Sequence, residues 1–152
     1  MKATFEGTVG ILVKAYFDDT LVKNNCYACA VGNIIAHSCG YQFIPCVDSS
    51  KKRIVWESAN GLYWPLNPIE RETITNWYEL IVLNDKDSDT AEVRKEIEST
   101  GYTNAQLFEI ERAFESQKDN FDGLMAVVDV LAEIHKVDLS TKESAKLQFV
   151  KP

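Results

Sequence analysis

Apolar residues recur along this chain first at helical spacing, then in short alternating runs, then at helical spacing again. Positions 9, 12, 13 and 16 are apolar, an i, i+3, i+4, i+7 set, with Lys14 and Asp18 on the other side. This predicts a helix over 9–22, although I-L-V-K-A-Y-F also fits a strand. Lys23-Asn24-Asn25 breaks the pattern. A second helix follows from Cys26 to Ser38, with Gly40 as a left-handed stop. A break of three residues implies an antiparallel helical hairpin over 9–39.

From Tyr41 the texture changes. Gln42 to Cys46 is short and extended around Pro45, and Asp48-Ser49-Ser50 reads as a turn. Arg53 to Ala59 and Leu62 to Trp64 then flank Asn60-Gly61, the pair best suited to the positive φ of a type I′ turn. In that register Ser58 faces Tyr63 and Glu57 faces Trp64. Pro65 and Pro68 end the hairpin, which occupies 42–66.

Helical spacing then returns. Ile74, Trp77, Tyr78 and Ile81 predict a helix over 70–83, and N-D-K-D-S-D at 84–89 a solvated loop. Thr90 can cap a short helix that ends before Gly101. Thr103 and Gln106 have capping-box spacing, ahead of an apolar face of Leu107, Ile110 and Phe114. The helix over 121–137 gathers Asp122, Asp129, Glu133 and Lys136 on a stripe about 60° wide. Apolar residues fill most of its remaining surface, so it belongs in the core. From Asp138 the tail is polar and without clear period; only Leu147, Phe149 and Val150 could dock it.

These elements make one domain over 1–152, mainly α (α+β), a bundle of five to six helices with one small β-hairpin. A length of 152 residues, 45% hydrophobic and 26% charged, suits a single domain with a full core. The net charge of −7 argues against duplex nucleic acid, whose binding is built on excess Lys and Arg. The opening M-K-A-T-F-E-G lacks the apolar segment and cleavage pattern of a signal peptide. No apolar run approaches the ~20 residues of a membrane span. A cytoplasmic protein is expected, with its four cysteines as thiols.

Three of those cysteines lie between Asn25 and Tyr41. On a helix, Cys26, Cys29, Asn33 and His37 fall within about 80° of one another. Cys26-x-x-Cys29 has the spacing of a zinc ligand pair, but His37 lies ~12 Å further along the same helix and cannot complete four-coordination. Cys39 points to the opposite side, and Cys46 alone leaves the shell one ligand short. Thiols packed as small hydrophobes are the commoner state.

A nucleophilic Cys26 or Cys29 is the enzymatic alternative, a cysteine-dependent hydrolase or acyltransferase. A thiol at a helix start is favoured as thiolate. C-Y-A-C-A-V is similar to the C-G-S-C-W of papain-like proteases in its two cysteines, and Asn25-Cys26 resembles the Asn-Cys pair of smaller cysteine amidases. The former need a later histidine in a sheet, whereas His135 lies inside a core helix; the latter need a histidine before the cysteine, and none precedes Cys26. No nucleophile, base and orienting group can be assembled, so no catalytic residue is assigned. Lys118-x-Asn120-x-Asp122-Gly123 with Asp129 aligns with a calcium loop but places a cation first and a short carboxylate last, and is better read as a polar inter-helix turn. No cofactor motif is present.

The strongest candidate is a binding site on the hairpin. Lys51-Lys52-Arg53 is a cluster of three cations in an acidic chain, leading into a segment with Trp56, Tyr63 and Trp64. Cations beside rigid aromatics suit an anionic ligand with a flat ring, such as a nucleotide. The competing reading makes the aromatics a cover for the helical core and the cations a solvated loop.

A-C-A-V-G-N, G-Y-T-N-A-Q-L-F-E-I-E-R-A-F-E and F-D-G-L-M-A-V-V-D-V-L-A-E-I-H resemble segments of small uncharacterised proteins of Bacteroidota and their phages. The resemblance covers the N-terminal and C-terminal thirds and brings no functional residue with it. It implies a small cytoplasmic accessory protein, and a phage setting favours a ligand-sequestering or host-inhibiting binder over a housekeeping enzyme.

Overall fold

In the computed structural model, residues 3–21, 29–40 and 97–150 are described in full, and 42–48, 51–58 and 61–62 through their backbone. The protein is mainly helical. Helix α1 spans Phe5–Phe17 and α2 spans Ala30–Cys39. Strands β1 (Gln42–Asp48), β2 (Lys51–Ser58) and β3 (Gly61–Leu62) follow. Helices α3 (Asn104–Glu115), α4 (Asn120–His135) and α5 (Leu139–Leu147) complete the described elements.

The first segment is a helix and not a strand, and it starts and ends earlier than its apolar spacing implies. Thr4 is the N-cap, its hydroxyl accepting from the Gly7 N–H at 3.0 Å. Gly7 leaves room for that cap, because a Cβ there would lie 2.7 Å from the Thr4 hydroxyl oxygen. The far end stops well before Lys23: Asp18 caps it, and Asp19 takes a left-handed φ of 58° that no helix can continue through. Lys14 and Asp18 pair across the last turn.

Helix α2 begins at Ala30, with Cys29 as its N-cap, and ends at Gly40 with φ of 73°. The left-handed stop is therefore where the glycine placed it. The whole run from Ala30 to Ala36 is buried. Helices α1 and α2 pack together, α1 also meets α4, and α2 meets α3 and β1. The core sits among these faces, with Leu12, Ile34, Ile35, Ile110, Phe114 and Leu131 fully buried. Each such side chain contributes roughly 1.5–3 kcal/mol through water excluded from its surface.

Helix α3 carries the expected capping box, Thr103 and Gln106 satisfying each other's backbone N–H at 3.1 and 2.9 Å. Its buried face contains Leu107, Ile110 and Phe114. Helix α4 packs on α3, α1 and α5. Leu124, Val127, Val128 and Leu131 are buried, while Asp122, Asp129 and Glu133 stay outside. The polar stripe marks the solvent side.

The tail departs from its reading as an irregular polar segment. Asp138 caps α5 by accepting from the Thr141 N–H at 2.7 Å. Phe149 is buried, whereas Leu147 and Val150 are exposed. The helix carries little apolar pattern; Lys142 and Lys146, one turn apart, both reach Asp129 of α4.

The three strands pair antiparallel in the order β1-β2-β3. Strand β1 meets β2 from Asp48↔Lys51 through Gln42↔Glu57. The register to β3 pairs Ser58 with Gly61 and Glu57 with Leu62, not with Tyr63 and Trp64. The chain reverses one residue earlier than Asn60-Gly61 implies, which moves each partner by two positions and so preserves the alternation along the strand. The predicted helix over 70–83, the 84–89 loop and the Thr90 cap lie outside the described residues.

Candidate functional site

The predicted binding residues divide between described backbone and the rest of the chain. Lys51, Lys52 and Arg53 are successive residues of β2, opposite Asp48, Val47 and Cys46 of β1. Trp56 lies on the same strand, opposite Phe43. Tyr63 and Trp64 lie outside the described residues. At ~3.4 Å per residue the three cations occupy about 7 Å of strand.

The cysteine readings meet the structure more directly. The Cys29 sulfur accepts from the Gly32 N–H at 3.3 Å, the role of an N-cap, and the residue is 1% exposed. Cys39 is half-buried, its sulfur 3.4 Å from the Ser99 hydroxyl. Neither is in a disulfide. His37 is exposed on α2. Among the described residues no group of three His, Cys, Asp or Glu is placed to hold a metal ion. Cys26 lies outside them, as does the Cys46 side chain.

The calcium alignment runs into α4. Asp119 is the N-cap, accepting from the Asp122 N–H at 2.8 Å, so the helix is under way by Asn120. The Asn120 side chain donates instead to the Leu21 carbonyl at 2.9 Å. This is a polar inter-helix turn.

A connected group that the sequence does not announce joins α1 to the end of α4. The Tyr102 hydroxyl lies 2.7 Å from the Thr8 hydroxyl and 2.7 Å from His135 Nε2. Tyr102 is delivered there by a short turn after residues 97–99, which are helical. Gly101 takes a φ of 80°, the Thr100 hydroxyl donates to the Ile97 carbonyl, and the Tyr102 N–H donates to the Thr100 oxygen. The His135 ring also meets Phe5 edge-on, with centroids 6.3 Å apart.

Burial pushes the Tyr102 phenol above its ordinary value, and the Thr8 hydrogen bond draws it partly back. The phenol is thus neutral at physiological pH, donating to one neighbour and accepting from the other. When His135 Nε2 carries no proton, Tyr102 donates to it and accepts from Thr8; when it does, both bonds reverse. Thr8 and Tyr102 are buried, and His135, the last residue of α4, is half-buried rather than internal. The group therefore fastens three segments together and has little access to a ligand. Helical periodicity could not reveal it, since Thr8 and Tyr102 are 94 residues apart.

No protein-family model matches the chain, and neither a curated protein nor a solved structure matches it. Among the described residues no helix is long and apolar enough to cross a membrane.

Proposed function

We propose that this is a small cytoplasmic binding protein, a body of five or six helices carrying a small hairpin that takes an anionic ligand with a flat ring. The observation that carries this reading is the succession Lys51-Lys52-Arg53 and then Trp56 on the one strand β2. Three successive cations stand on a paired backbone in a chain of net charge −7, and strand alternation puts Lys52 on the same face as Trp56. A nucleotide-like ligand answers both chemistries, its phosphate meeting the cations and its base stacking on Trp56, Tyr63 and Trp64. The resemblance to small proteins of Bacteroidota and their phages supports a sequestering role over a metabolic one.

A thermal-shift screen of nucleotides and anionic ring metabolites tests it. A ligand at ~100 times its dissociation constant adds ~2.7 kcal/mol of stability. Binding should weaken as salt rises, and replacing Lys51, Lys52 and Arg53 together with Ala should remove most of that dependence. Trp64→Ala should lower affinity at every salt concentration, because stacking is not a charge interaction. No shift with any anionic ring compound would retire the site.

A further inference from the structure

Among the described residues, few groups attach helix α5 to the body. Ala145 is its one buried residue, and Leu139 and Leu147 are 68% and 69% exposed. A helix of nine residues does not hold its shape alone in water, so α5 depends on docking. Three features supply that docking.

The first is a hinge. Lys136 ends α4 in the left-handed region at φ of 54°, the Val137 N–H closes on the Ala132 carbonyl, and Asp138 starts α5. The second is a clamp in which Asp129 Oδ1 receives Lys146 Nζ at 2.9 Å and Lys142 Nζ at 3.4 Å. Burial works against the Asp129 carboxylate, but the hydrogen bonds and charges of Lys146, then Lys142, more than offset it and hold the group below its ordinary value. The third is an anchor: the buried Phe149 ring meets Tyr16 edge-on with centroids 6.1 Å apart, and Tyr16 leans on Phe121.

We propose that α5 together with Phe149 is a releasable strap, which unfastens from α4 as one unit about the Lys136–Asp138 hinge and uncovers Tyr16 and Phe121 while the remaining helical body stays folded. The division of labour follows from the chemistry. A clamp of partly exposed charges weakens with salt, whereas a buried ring does not. Among the described residues, the helices beneath meet through buried apolar side chains of α1, α2, α3 and α4. Segments held by few buried contacts open at lower free energy than the core.

Hydrogen exchange read by mass spectrometry on the full chain tests this. The amides of 139–150 should be protected, yet exchange as a group at least ~10-fold faster than those of 124–131. Asp129→Asn, or raising salt to about 1 M, should speed the 139–150 group several-fold and leave 124–131 unchanged. Phe149→Ala should abolish protection of that group while 124–131 keep theirs. Equal exchange of the two groups in the unaltered protein would overturn the proposal, as would acceleration of both by Asp129→Asn. Absence of any protection in 139–150 would overturn it too, since a strap must first be docked.

Discussion

Asn33 and Thr20 hold each other by two hydrogen bonds that run in opposite directions. Asn33 Nδ2 donates to the Thr20 carbonyl at 2.9 Å, and Asn33 Oδ1 accepts from the Thr20 hydroxyl at 3.0 Å. The same Nδ2 also donates to the Cys29 carbonyl at 3.0 Å. One buried amide thus ties the chain leaving α1 to the first turn of α2. Asn33→Ala deletes all three bonds, and although the Cys29 carbonyl keeps the Asn33 N–H and the Thr20 hydroxyl keeps the Ala15 carbonyl, the loss should cost about 1–3 kcal/mol. The urea midpoint should fall with an unchanged slope, as expected when stability drops without a change in the surface exposed on unfolding.

Tyr102→Phe keeps the ring and deletes the oxygen that Thr8 and His135 share. The expected loss is about 1–2 kcal/mol, and Thr8→Val on that background should cost clearly less than it does alone. Alkaline pH offers a second readout. The folded phenol sits above its ordinary value of 10.0, so its contribution is complete below that value and is lost as pH rises through the higher folded one. Between pH 9 and 11, on the order of the tyrosine range, thermal stability should decline less steeply in Tyr102→Phe than in the unaltered protein. Equal slopes would remove Tyr102 from that account.

Lys136 adopts a backbone conformation that glycine takes without steric cost. Lys136→Gly should therefore stabilise the protein by about 0.5–1 kcal/mol, the relief at the α4 terminus exceeding the extra freedom of the unfolded chain. A rise in melting temperature checks it. A fall would mean that the lysine side chain supplies more than the strain removes.

The burial of Cys29 predicts its reactivity. In a variant retaining only that cysteine, alkylation under native conditions should be slow and should quicken with urea in step with unfolding. Rapid labelling near pH 6, on the order of two units below the ordinary ~8.5 of a thiol, would revive Cys29 as a nucleophile.

What could be read from the chain depended on how far apart the interacting groups lie. The Thr103–Gln106 capping box, the Gly40 stop and the buried face of Leu107, Ile110 and Phe114 are all written within one or two helical turns. The start of α1 is written locally too, in Thr4 before Phe5, but the apolar set at 9–16 is the stronger pattern. Helix α5 was hidden for another reason: Lys142 and Lys146 look like ordinary surface lysines until Asp129 is seen between them. The Thr8–Tyr102–His135 chain has no local signature at all. Of the candidate site, the cation cluster was visible as composition, and its place on β2 needed the pairing with β1.

The contact of Tyr16 with Phe149 and that of Thr8 with Tyr102 span most of the chain. During synthesis, at ~5–20 residues per second, α1 therefore emerges long before α4 exists to cover it. Phe5, Val9 and Leu12 stay available on the ribosome-bound chain for seconds, a natural target for a chaperone that recognises apolar helices. Completion of this core waits on α4 and Phe149, far along the chain from the first helix.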